Sequence, residues 1–110
     1  MAYDEDLAAR LRILIGSEAG LTERKMFGGL AFLVNGNMSV AASGQGGILV
    51  RVDPAATQEL LRDTAAYPME MRGRSMAGWL RVDAKDVGDD AVLGDWVERG
   101  VGYARSLPRK

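Results

Sequence analysis

The chain has 110 residues, of which 47% are apolar and 26% charged, a composition typical of one globular domain. Its 14 Lys and Arg residues nearly balance 15 Asp and Glu residues, so the net charge of −1 supplies no overall field that would attract nucleic acid or an anionic membrane. The absence of Cys and His excludes disulfide frameworks, thiolate nucleophiles, imidazole metal ligands and the Ser-His-Asp triad. We therefore expect a single domain over residues 1–110 that holds no cofactor and no metal.

The first residues indicate a cytoplasmic protein. Asp4, Glu5 and Asp6 stand where a secretory signal peptide would carry positive charge. The longest apolar run, residues 30–34, is far shorter than the roughly 20 residues that a membrane-spanning helix needs. A chain without Cys also suits a reducing compartment, so we expect a cytoplasmic location and no contact with membranes.

Apolar residues at helical spacing follow this acidic cluster. They recur at intervals of three and four residues, at Leu7, Leu11, Leu14 and Ile15. The acidic cluster suits the positive end of a helix dipole. This pattern predicts a helix from about Glu5 to Glu18, closed by Gly20.

Two alternating apolar runs around an Asn-Gly turn predict a β-hairpin. The runs are Leu30, Phe32 and Val34, then Met38, Val40 and Ala42. A two-residue loop of Asn35 and Gly36 would set Leu33 opposite Met38. A three-residue loop would instead place both runs on one face of the sheet. We favour the three-residue loop, because it gathers the apolar side chains.

A third strand and a short helix come next. The glycine-rich turn at residues 44–47 precedes alternating Ile48, Val50 and Val52. Because a strand and not a helix follows this turn, it does not match a nucleotide-binding loop. Asp53 and Pro54 then predict the N-cap and first residue of a short helix that carries residues 60 and 61.

Two more strands and a final helix complete the predicted fold. Alternation predicts strands over Tyr67–Arg72 and Gly78–Asp83, joined by a loop over Gly73–Ala77. That loop contains Ser75, but without a His there is no ordinary general base to activate a serine. An acidic N-terminus and an apolar stripe then predict the last helix, at Leu93, Trp96, Val97, Gly100, Val101 and Ala104. The predicted fold class is α+β, a two-layer domain with a five-stranded antiparallel sheet and the order α-β-β-β-α-β-β-α.

Positive charge is concentrated in the middle of the chain. Residues 24–81 contain seven basic and four acidic residues, a local net charge of +3. The candidate interaction surface consists of Arg24, Lys25, Arg51, Arg72, Arg74, Trp79 and Arg81. Arginine beside an aromatic ring suits RNA or single-stranded DNA, so weak nucleic-acid binding is the alternative interpretation. We favour a solvated polar face, because specific nucleic-acid binders usually have a far more basic domain.

Apolar residues on the second face of the sheet predict self-association. Ala31, Leu33 and Leu49 fall on the face opposite the predicted core. Three short helices cannot cover both faces of a five-stranded sheet, and exposed apolar patches usually mark an interface. We therefore expect a symmetric homodimer.

Several segments together resemble the TfoX N-terminal domain family. They are RKMFGGLAFLVNGNM at residues 24–38, VRV at 50–52, PM at 68–69, RSMAGW at 74–79, WV at 96–97 and YARSLP at 103–108. The resemblance covers almost the whole chain and implies an α+β sandwich of the secretion-chaperone type. It implies no catalytic residue, so the motif residues are interpreted as structural: Met26, Phe27, Gly28, Gly29, Asn35, Gly36, Gly78 and Trp96.

The resemblance also implies a regulatory function. The family's regulators of natural competence carry a second, helical domain and act as transcriptional co-activators alongside the cyclic-AMP receptor protein. This sequence ends at Lys110 without such a domain and so resembles the stand-alone members. We expect a small non-enzymatic module that acts through a protein partner in transcriptional regulation, and the competence role itself is not carried over.

Overall fold

An antiparallel sheet of six strands forms the centre of the computed structural model. The structure describes residues 3–26 and 28–110, and at Met71 it describes the backbone alone. The strands are β1 (Leu21–Met26), β2 (Gly29–Val34), β3 (Asn37–Ala42), β4 (Ile48–Arg51), β5 (Tyr67–Met71) and β6 (Arg74–Val82). Their spatial order is β1-β2-β3-β4-β6-β5. The helices of the described residues are α1 (Glu5–Ile15), α2 (Thr57–Asp63) and α3 (Asp90–Ser106), with 3₁₀ turns at Pro54–Ala56 and Ala84–Val87. The α+β antiparallel fold is confirmed.

The predicted number of five strands is wrong, because the sequence pattern does not reveal β1. This strand lies at the edge of the sheet and pairs with β2 from Leu21 opposite Val34 to Met26 opposite Gly29. Its four central residues are polar and exposed. Both faces of this edge strand are exposed to solvent, so its sequence needs no alternation of apolar and polar residues. Hydrophobic periodicity therefore cannot predict it.

Helix α1 ends earlier than predicted. Asp4 caps its first turn by accepting hydrogen bonds from the N–H groups of Asp6 and Leu7. Gly16 ends it with a φ of 65°, and its N–H donates to the carbonyl of Arg12. The predicted extension to Glu18 is therefore wrong, because the chain leaves the helix at the first glycine that reaches positive φ.

The β2–β3 hairpin uses both registers that the sequence leaves open. Asn35 and Gly36 have φ values of 54° and 84°, and Leu33 lies opposite Met38, as in a two-residue type I′ loop. Beyond a β-bulge at Ser39 the pairing shifts, and Phe32 lies opposite Val40. The preferred three-residue loop is therefore wrong. Past the bulge, Val40 and Ala42 do share a face with the apolar run of β2, as the three-residue loop predicted. Met38, before the bulge, lies on the opposite face of the sheet.

The β5–β6 hairpin also differs from its prediction. Met71 lies opposite Arg74, so Arg72 and Gly73 alone form the turn, with φ values of 55° and 77°. The predicted loop over Gly73–Ala77 is wrong from residue 74 onward, since β6 begins there. Positive φ at both turn residues is the type I′ geometry that suits the right-handed twist of the two strands.

The helices and the main core lie on one face of the sheet. The predicted stripe of α3 is confirmed: every one of its residues is buried, and Trp96 is 4% exposed. Asp89 caps the start of this helix, because its carboxylate accepts a hydrogen bond from the N–H of Ala91. From the sheet, the same core contains Leu30, Phe32, Val34, Val40, Ala42, Ile48, Val50, Val52, Leu80 and Val82. We call this side of the sheet the helical face.

The backbone of helix α3 lies close to the sheet at the bulge. A Cβ at Gly100 would lie 2.5 Å from the carbonyl oxygen of Ser39 and 3.3 Å from Cγ1 of Val50. The Ser39 hydroxyl donates a buried hydrogen bond of 2.8 Å to the carbonyl of Phe32. The Ser39 hydrogen bond therefore joins β2 and β3 at the point where the backbone of α3 contacts the sheet.

We expect Gly100→Ala to lower the free energy of unfolding by about 1 to 3 kcal/mol, because overpacking of this kind moves backbone. A Cβ at Gly102, in the same helix, would meet no atom within 4 Å, so Gly102→Ala should raise stability by up to about 1 kcal/mol. Urea unfolding of both variants measures the two effects. Equal stabilities for the two variants would contradict the close contact at Ser39.

Two ion pairs connect the helices to the loop after α1 and to the edge strand. Arg105 of α3 binds Glu18 through Nε and Nη2 at 2.9 and 2.6 Å, and Arg12 of α1 binds Glu23 of β1 in the same forked way. The hydrogen bonds from Arg105 lower the pKa of Glu18, and those from Arg12 lower the pKa of Glu23.

A lowered carboxylate pKa contributes stability that is present above the ordinary glutamate value of 4.5 and is lost as the pH falls through the lowered value. We expect Glu18→Gln to be less stable than the wild type at neutral pH, and the difference to disappear in acid. Chemical unfolding across this pH range measures it. Glu98→Gln, at an exposed position outside the ion pairs found in residues 3–26 and 28–110, is the control. A difference that persists in acid would contradict the role of this ion pair.

Candidate functional site

The face of the sheet opposite the helices carries a second apolar cluster. We call this side the open face. Four of its residues are buried, namely Ala31, Leu33, Met38 and Ala41, and half-buried Met26, Leu49 and Trp79 pack against them. Ala31 and Leu33 are only 2% and 6% exposed, so the chain already covers them. This corrects the premise of the predicted homodimer, which takes both side chains to be exposed.

A groove of about 780 Å³ lies on this face between the central strands and the β5–β6 hairpin. Its apolar lining includes Met26, Ala31, Ala41, Leu49, Met76 and Trp79. Ala31 and Ala41 are cross-strand partners, and Leu49 lies opposite Ala41 on the next strand. Ala31 and Ala41 contribute only methyl groups to the lining and are themselves buried, whereas Met26, Leu49 and Trp79 are half-buried. We call this groove the open-face groove.

One arginine of the predicted interaction surface lines this groove, and two others are placed on the same face of the sheet by strand register. Arg81 lines it, and its Nη2 donates to the Ser43 hydroxyl at 3.0 Å. The guanidinium carbon of Arg51 lies 5.1 Å from the ring centroid of Trp79 and 5.7 Å from that of Tyr103. Arg24 lies opposite Ala31, which places it on the same face. Arg81 and Trp79 therefore line the groove together, Arg51 packs between Trp79 and Tyr103 of α3 beyond the lining, and Arg24 shares only the face of the sheet.

The other predicted surface residues lie elsewhere. Lys25 lies opposite Leu30, a residue of the helical core, so it belongs to the helical face and its inclusion is corrected. Arg72 forms the turn of the β5–β6 hairpin, and Arg74 follows at the start of β6, where both are exposed. These two arginines extend the positive charge to the tip of the hairpin beside the groove.

Three arginines on the helical side form ion pairs, whereas Arg99 of α3 lies over the Trp96 ring with no carboxylate within 4.0 Å in the described part of the chain. On the helical side Arg10 binds Asp90, Arg12 binds Glu23 and Arg105 binds Glu18. Within the described part of the chain, the arginines of the open face and of the hairpin tip have no carboxylate within 4.0 Å. Their charge is therefore available to a ligand.

The motif residues are mainly structural where they are described. Gly29 lies against the backbone of β3, because a Cβ there would be 2.5 Å from the carbonyl oxygen of Ala42. Gly78 has a φ of 84° and donates its N–H to the Thr57 hydroxyl, which ties β6 to α2. Gly28, with a φ of 79°, forms the turn before β2, and Phe27 lies outside the described residues.

Several groove residues carry no recognisable signal in the sequence. Met76 falls in a predicted loop, and Tyr67 and Glu70 in a predicted strand with no binding role, yet all three line the groove. Their proximity depends on β6 pairing with both β4 and β5, which local alternation does not reveal.

Residues 3–26 and 28–110 contain no cluster of three His, Cys, Asp or Glu residues placed to hold a metal ion. None of the helices described has the length and apolar character that crossing a membrane requires.

Comparison with protein families gives one match, the TfoX N-terminal domain, over residues 14–104. The chain belongs to this family. No curated protein matches the sequence. The matched region extends from the end of α1 to the last turns of α3, so the open-face groove lies entirely within the TfoX N-terminal domain.

The turn residue Arg72 occupies a left-handed conformation, with a φ of 55°. This conformation is costly for a residue with a long side chain and far less so for Asn. We expect Arg72→Asn to raise the free energy of unfolding by up to about 1 kcal/mol. Thermal unfolding measures the change, and Arg74→Asn, in the adjacent strand, is the control. A loss of stability in Arg72→Asn would contradict the assigned turn geometry.

Proposed function

We propose that the protein is a non-enzymatic regulatory module that acts in the cytoplasm, through a protein partner, in transcriptional regulation. Its family consists of regulatory domains. The observation that carries the proposal is the open-face groove, an apolar depression lined by Trp79 and by Arg81, which has no carboxylate within 4.0 Å in the described part of the chain. Apolar surface combined with arginine and tryptophan is typical of the energetic centres of protein interfaces.

Weak nucleic-acid binding is the second candidate function. It is favoured by the position of Arg51 beside Trp79, since arginines and aromatic rings contact phosphates and bases. The lining of the groove argues for a protein, because methionine, leucine and alanine side chains match apolar side chains better than they match the polar edges of bases. The net charge of −1 also opposes a polyanion.

The predicted homodimer stays a prediction. With Ala31 and Leu33 covered inside one chain, the apolar surface left to a second copy is the groove itself. Light scattering at micromolar protein concentration distinguishes a mass near 11.8 kDa from twice that value.

The function is tested by deleting the gene in its native cell and comparing transcript levels. We expect wild-type protein and Lys85→Glu to restore the altered transcripts, and Arg81→Glu to fail. The two variants make the same change of charge, but only Arg81 lines the groove. Circular dichroism and thermal unfolding confirm that both variants fold.

Two results would contradict the proposal: unchanged transcripts after deletion, or full restoration by Arg81→Glu. Oligonucleotide retention separates the second candidate function. Phosphate contacts alone should be lost by about 0.2 M salt, whereas sequence-specific retention at that salt would favour nucleic-acid binding.

A further inference from the structure

The chemistry of the open-face groove indicates what kind of partner fits it. Its volume of about 780 Å³ lies within the range of ligand sites, roughly 300 to 1,000 Å³, and has room for more than one side chain. Met26, Met38 and Met76 are among the lining residues. Methionine is unbranched and polarizable, and binding surfaces use it to adapt to apolar side chains of different shapes.

Charge restricts the partner further. Arg81 is held by Ser43, and Arg51 lies beside the rings of Trp79 and Tyr103, so both guanidinium groups have defined positions before a ligand arrives. Among the residues found to line the groove in the described part of the chain, Arg81 is the single cation and Glu70 the single carboxylate, and the two do not form an ion pair. A guanidinium fork that is already oriented and lacks an acidic partner favours a carboxylate ligand.

A second copy of the chain fits this charge distribution poorly. A symmetric dimer uses the same patch twice, so contact through the open face would bring the arginine-bearing surface of one copy against the same surface of the other. Unpaired like charges oppose such an interface. A partner with acidic groups at the rim and apolar groups in the centre has no such conflict.

We propose that the open-face groove binds an acidic segment of a partner protein, with apolar side chains in the groove, a carboxylate on Arg81 in its lining, and flanking acidic residues toward Arg51 and Arg24 on the same face. The proposal rests on the proposed function, for which it defines the class of partner. Arg72 and Arg74 at the hairpin tip extend the positive rim toward acidic residues that flank the bound segment.

A displayed library of random peptides, selected in parallel on wild-type protein, Arg81→Glu, Met76→Ser and Lys85→Glu, tests the proposal. We expect the wild type and Lys85→Glu to enrich the same peptides, with Asp or Glu next to apolar residues. These peptides should bind Arg81→Glu at least about tenfold more weakly, because a charge-assisted hydrogen bond is replaced by repulsion. Selection on Arg81→Glu should shift toward basic peptides.

Met76→Ser tests the apolar half of the site without changing charge. Met76 is 37% exposed, so its replacement should leave the fold intact while weakening the selected peptides several-fold. Thermal unfolding of each variant checks the fold, and binding to Lys85→Glu shows that a change of charge elsewhere has no effect.

Several results would overturn the proposal: no enrichment on the wild type, enrichment of basic or uncharged peptides, equal binding to Arg81→Glu, or a dimer that Arg81→Glu alters. Salt-resistant retention of an oligonucleotide would replace it by nucleic-acid binding. The proposed function fails separately, because acidic peptides selected as expected with unchanged transcripts would refute regulation and leave the peptide site standing. Failed restoration by Arg81→Glu with basic peptides selected would refute only the class of partner.

Discussion

The bulge at Ser39 is the constraint on which the rest of the structure depends. The Asn35-Gly36 turn requires Leu33 opposite Met38, whereas the helical core requires Phe32 and Val40 on one face. One extra residue in β3 satisfies both requirements, since it reverses the facing of the strand between Met38 and Val40. The hydroxyl of Ser39 binds the neighbouring strand, and its carbonyl lies beneath Gly100 of α3. The same residue therefore sets the register of the sheet and the height of the helix above it.

This local adjustment has a consequence for the site. Without the bulge, Met38 would follow Val40 into the helical core, and the open face would lose one of the methionines that line its groove. The turn residues and the apolar alternation indicate conflicting registers, and that conflict is itself the signal of a bulge. The α3 stripe is predictable because six apolar or small residues at helical spacing fit one helix face. In contrast, β1 has two polar faces, and the boundaries of β6 depend on its pairing with two strands.

The candidate site is predictable in its residue types and not in its shape. Charge along the chain identifies the central arginines, and the sheet places Arg24, Arg51 and Arg81 on one face. Lys25, next to Arg24 in the chain, falls on the other face because side chains alternate along a strand. No local pattern distinguishes paired from unpaired arginines. Arg12 and Arg105 are neutralised by glutamates 11 and 87 residues away in sequence, which only the tertiary fold brings together.

The groove lies on the face of the sheet that does not pack against the helices. The helical face supplies the main core, with Phe32, Val40 and Val50 fully buried beneath the helices, so the opposite side of the same strands need not pack a second layer. Ala31 and Ala41 lie on that side as cross-strand partners. Their methyl groups project less from the sheet than the methionine side chains that also line the groove. Larger residues there would bury more apolar surface and stabilise the chain at about 25 cal/mol per Å². Alanine at this pair gives up that stability, and the half-buried Met26, Leu49 and Trp79 around it supply apolar surface that a ligand can reach.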